Sequence, residues 1–70
     1  MEEQIVTLRG DYIKLDQALK HVLGVSGGEA KEMILSGNVL VNGEVELQRG
    51  KKLREGDTAQ VDTVKIVISR

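Results

Sequence analysis

Apolar residues in the chain follow two different spacings, and the change from one to the other marks out the elements. Leu15, Ala18, Leu19, Val22 and Leu23 fall at i, i+3, i+4, i+7 and i+8, the stripe of a helix packed along one side. This predicts a helix over residues 14 to 23, closed by Gly24. Ala30, Met33 and Ile34 form a second apolar face, widened by Leu35. Ser26 with Glu29 three residues later is a capping box, so the second helix starts at Gly27, and Gly37 offers the left-handed residue that ends it. A helix of about ten residues holds only if its face is packed. Val25 leaves a short connection, so the two helices form an αα-hairpin whose common apolar side rests on later strands.

The spacing then changes to two. Val39, Leu40 and Val41 make a short run rich in β-branched residues, and Asn42-Gly43 is the strongest two-residue hairpin signal, because both central positions of a type I′ turn need positive φ. Val45 and Leu47 alternate with Glu44 and Glu46, which predicts a half-buried return strand. Residues 4 to 8 read as a strand, and Arg9-Gly10-Asp11 as a turn; the turn alone accounts for that tripeptide without a cell-adhesion role. Glu55-Gly56-Asp57 is a further turn, followed by strands at 58 to 61 and 64 to 69 with no proline to interrupt them. No repeat, low-complexity tract or linker divides residues 1 to 70, so the expectation is a single α+β domain: two helices packed on a small, mainly antiparallel sheet.

Seventy residues bury only about 60% of their unfolded surface, so the domain is small and marginal without help. With no cysteine there is neither a disulfide framework nor a thiolate metal site, and the lone His21 cannot build a zinc site, so no metal or other cofactor is expected. No apolar run exceeds four residues, and the acidic start MEEQ lacks the basic end and apolar stretch of a signal peptide. The expectation is a soluble cytoplasmic protein with no membrane partner. Catalysis fails on inventory: one histidine, no cysteine, no serine with an evident base and no carboxylates at paired spacing leave neither a catalytic residue nor a small-molecule substrate to expect.

Charge narrows the remaining classes. Ten basic residues against eleven acidic give a net charge of −1, which excludes a polycation that coats nucleic acid through bulk charge. Tyr12 is the one aromatic, so successive bases have no stacking platform of the kind used by single-strand binders. Local clustering remains. Arg49, Lys51, Lys52 and Arg54 place four cations within six residues, and alternation around Leu53 exposes them. Lying after a hairpin rather than in a tail, they would be presented in constant geometry. Lys14, Gln17 and His21 share a flank of the first helix outside its apolar stripe, either a ligand-facing ridge or an ordinary solvated face. Gly27-Gly28 at a helix start lets backbone amides approach a phosphate, but the spacing and lysine of a P-loop are missing.

Taken in order, residues 12 to 61 closely resemble the S-four RNA-binding domain, the αL-motif module found in a small-subunit ribosomal protein, many pseudouridine synthases, bacterial tyrosyl-tRNA synthetases and a heat-shock ribosome-rescue protein. The resemblance is carried by Lys14-Leu15-Asp16 at the first helix start, by Ser26 followed by Ala30-Lys31, by Gly37-Asn38-Val39-Leu40-Val41-Asn42-Gly43, and by Gly56-Asp57. It implies that the two helices and the following hairpin grip structured RNA, mostly through phosphates. The implied contacts are Lys14, Lys31, Arg49, Lys51, Lys52 and Arg54, with His21 and Asn42; the backbone amides around Ser26 and Gly27, at a helix start suited to anions, would assist them. The chain departs from the family pattern in having Gly27 where a basic residue is common. It also has Lys14 where arginine is usual, which keeps the charge but loses the bidentate fork. With only short flanking strands and no catalytic domain to expect, it resembles the small stand-alone YaaA-like members. That similarity implies a non-catalytic partner of structured RNA, rRNA or ribosomal particles, acting in ribosome assembly or translation. The alternative is a protein-binding adaptor that pairs an exposed edge strand, residues 4 to 8, with a partner.

Overall fold

The computed structural model describes residues 2–70. In chain order these form β1 (Glu2–Thr7), β2 (Ile13–Lys14), α1 (Leu15–Leu23), α2 (Gly27–Leu35), β3 (Val39–Val41), β4 (Glu44–Val45), β5 (Lys52–Leu53), β6 (Thr58–Val61) and β7 (Val64–Ser69). Five strands make one sheet in the order β1-β7-β6-β3-β4, while β2 and β5 pair separately as a two-stranded antiparallel ladder. The larger sheet is antiparallel except where β1 runs parallel to β7. The α+β architecture and the mainly antiparallel sheet are those expected from the sequence.

The two helical stripes close over this sheet. Leu15, Ala18 and Leu19 of α1 and Ala30 and Ile34 of α2 are fully buried, and they join Val39, Leu53, Ile66 and Ile68 in one core cluster. Full burial of one such leucine or isoleucine contributes about 1.5–3 kcal/mol relative to leaving it exposed. The start of α2 is the capping box read from the sequence: the Glu29 amide donates to Ser26 Oγ at 3.1 Å, and the Ser26 amide donates to Glu29 Oε1 at 3.4 Å. Its end is a Schellman arrangement, with the Gly37 amide bonded to the Ile34 carbonyl and the Asn38 amide to the Met33 carbonyl. Gly37 takes φ +83, which a residue with a Cβ adopts only under strain.

Three expectations need adjusting. The first helix starts one residue later, because Lys14 is extended (φ −75, ψ 147) and belongs to β2, where it serves as the N-cap of α1. The first strand runs over Glu2–Thr7 rather than residues 4 to 8, since β7 offers a six-residue parallel partner that overrides the poor strand propensity of Glu2 and Glu3. The third change is the largest. The return strand of the Asn42-Gly43 hairpin has the predicted positive φ at both turn residues (+52 and +87), but β4 is only two residues long. Val45 and Leu47 are 57% and 54% exposed rather than half-buried. Alternation forecasts burial only where a second layer covers the strand, and here the chain leaves the sheet edge after Val45 to reach β5 beside the start of α1.

Candidate nucleic-acid interface

The ladder between β2 and β5 is the feature that builds the site. Any helix starts with amides that have no partner inside it. In α1 no side chain fills that role at Lys14. The carbonyls of the basic loop do so instead: the Leu15 amide donates to Lys51 O at 2.9 Å and the Asp16 amide to Arg49 O at 3.1 Å. The segment from Arg49 to Leu53 is thereby fixed to the helix start by backbone bonds, and its cations inherit the rigidity of the fold.

Alternation then sorts the side chains. Ile13 pairs with Leu53 and Lys14 with Lys52. Leu53 is fully buried and Ile13 packs against the core, so Lys14 and Lys52 leave the opposite face, both exposed. Tyr12 lies two residues before Lys14, and Arg54 two residues after Lys52. The Tyr12 ring gathers both chains: Lys52 Nζ is 4.9 Å and Arg54 Cζ 5.8 Å from its centroid, within cation–π range.

Acidic groups do not neutralise this cluster. Among the described residues one ion pair forms, Arg70 with Asp11 at 3.5 Å. Asp57 spends its carboxylate on the Arg54 amide (2.7 Å) and on Asn42 Nδ2 (3.1 Å), and Asp16 Oδ1 accepts from the Gln17 amide at 2.9 Å. Like charges directly opposite on a ladder repel, so Lys14 facing Lys52 is an arrangement that an anionic partner would relieve.

The backbone thus joins Lys14, Arg49, Lys51, Lys52 and Arg54. The other candidate residues lie elsewhere. Ser26, Gly27 and Lys31 sit on the first half of α2, which packs beside α1; among the described residues no hydrogen bond links them to the ladder. Ser26 Oγ is committed to its cap, Lys31 is exposed, and a Cβ on Gly27 would meet nothing within 4 Å. His21 is exposed in the last turn of α1, beside a groove next to β1. Asn42 is a strut: besides its bond to Asp57, its Oδ1 accepts from the Thr58 amide at 2.9 Å and from Thr58 Oγ1 at 3.4 Å. Sequence reasoning missed the organising role of Tyr12. The signal was its period-two spacing from Lys14, matched by Lys52 and Arg54, but a two-residue ladder between distant segments gives no local pattern.

Among the described residues no helix is long and apolar enough to cross a membrane, and no group of three His, Cys, Asp or Glu side chains is placed to hold a metal ion. No curated protein matches the chain. The S4 domain model matches residues 6–69, which takes in all but the first residues of the sheet, both helices and the whole basic ladder. The chain therefore belongs to the S4 domain family, a membership that implies an RNA partner.

Proposed function

We propose that this protein docks onto structured RNA, ribosomal RNA in particular, as a preformed cationic surface and without a chemical step, in ribosome assembly or translation in the cytoplasm. The observation that carries the reading is Lys14 opposite Lys52, two exposed like charges in register on a backbone-fixed ladder, with no carboxylate among the described residues paired to either. Lys51, Arg49 and Arg54 extend the surface to neighbouring phosphates, and Tyr12 holds two of the cations in place before RNA arrives, which lowers the ordering cost of binding. Lys31 and the amides of Gly27 and Gly28 at the start of α2 offer a second contact. Asn42 acts indirectly, by tying the β3–β4 turn to β6.

Position at the sheet edge gives some support to a protein-binding adaptor, since β1 has a partner on one side only and Ile5 is 66% exposed. Co-sedimentation with ribosomal particles separates the two. The RNA reading expects the protein in the pellet and its release after nuclease treatment; retention on nuclease-stripped protein would favour the adaptor.

A further inference from the structure

Between β1 with the turn that follows it and α1 lies an open groove of about 910 Å³. Its walls combine two chemistries. Half-buried Leu8 and Ile13 supply apolar surface, while Arg9, Lys20 and His21 bring cations and hydrogen-bond donors, and among the described residues no carboxylate lines it. Tyr12 belongs to the groove and to the basic ladder at once: it lines the groove, is 40% exposed, and lies beneath Lys52 and Arg54. The groove is therefore continuous with the surface proposed to hold phosphates.

We infer that this groove receives one unpaired nucleotide of the RNA whose backbone the ladder holds; the inference rests on the RNA-binding reading above. A paired base is closed off inside its helix, whereas an unpaired one can be splayed out, laid against an aromatic ring and read along its edge. The groove is of the size that takes a small-molecule ligand, about 300–1,000 Å³. The base lies against Tyr12 and the Leu8 and Ile13 surface. Gln17, which also lines the groove and has both a donor and an acceptor, reads the base edge, and Arg9 and Lys20 meet the flanking phosphates. A purely apolar peptide would leave those cations unmatched, and a free anion would leave the apolar wall wet.

The test compares two fluorescein-labelled hairpin RNAs, one fully paired and one identical but for a single bulged adenosine, by anisotropy with the full chain. The bulged hairpin is expected to bind about tenfold more tightly, within the range of one base stack. Ile5→Glu and Gln17→Ala change exposed groove-lining residues outside the ladder. Each should remove that preference and leave the paired hairpin's affinity unchanged, with circular dichroism confirming the fold, while Lys52→Glu weakens both hairpins. Equal affinity for the two RNAs, or a preference that survives both groove substitutions, would overturn the groove assignment alone. Failure to bind either RNA in dilute salt would overturn the RNA-binding reading as well. No bulge preference, together with binding of fluorescein-labelled decaglutamate that Ile5→Glu and Gln17→Ala abolish, would assign the groove to an acidic protein segment instead.

Discussion

Lys14 and Lys52 are Cα partners in a ladder two residues long, and Lys14 is also the N-cap of α1. Both positions are poorly suited to lysine in the free protein. A lysine cannot accept an amide hydrogen, its charge is unfavourable at the positive end of the helix dipole, and it faces another lysine. By contrast, α2 has a complete capping box. The amides a capping side chain would serve are already bonded to Arg49 O and Asp16 Oδ1, so Lys14→Asp relieves only the two charge features; it should stabilise the protein by about 0.3–1 kcal/mol and raise Tm by a few degrees. It should also weaken RNA binding by about tenfold or more, since charge reversal at a phosphate contact costs at least one charge-assisted bond. Thermal unfolding and RNA titration of the same variant check the pair of effects. A lower Tm, or unchanged RNA affinity, would contradict the role given to Lys14.

Asn42 combines a left-handed backbone with three side-chain hydrogen bonds to Asp57 and Thr58. Asn42→Ala removes those bonds and leaves a Cβ at φ +52, so about 2–3 kcal/mol should be lost. Asn42→Gly loses the bonds without the strain and should cost about 1 kcal/mol less. Urea unfolding of the two variants measures the difference. Equal losses would mean that the turn conformation is not strained.

Gly27 has open space where a Cβ would stand and is not at positive φ, so a long side chain there fits. Gly27→Arg should strengthen RNA binding about fivefold and add about one unit to the salt slope, by supplying one more phosphate contact. A cation at a helix start also costs about 0.3–1 kcal/mol, so the gain should come with a slightly lower Tm. An unchanged salt slope would place the start of α2 outside the interface.

Both helices, the Asn42-Gly43 turn and strands β3, β6 and β7 were legible because each is specified by a local pattern: a stripe, a cap, or a residue suited to positive φ. The exposed return strand was not, since period two at Val45 and Leu47 reports alternation but not whether anything covers it. Candidate cations were visible one by one as Lys14 and as the cluster at Arg49, Lys51, Lys52 and Arg54. Their convergence depends on two residue pairs and two helix-start amides bonded across more than thirty positions of chain, which no local window reveals. As the one aromatic, Tyr12 gives the sequence no stacking platform, yet its place beside β2 makes it the organiser of two cations.

Cations fixed on one ladder hold RNA phosphates, and the dependence of affinity on salt counts the phosphates they neutralise. With about four phosphates neutralised, log K against log salt should fall with a slope of about −3 to −4, and the double variant Lys51→Glu, Lys52→Glu should flatten it by about two units while remaining folded. A slope near zero, or one that the double variant leaves unchanged, would contradict the account.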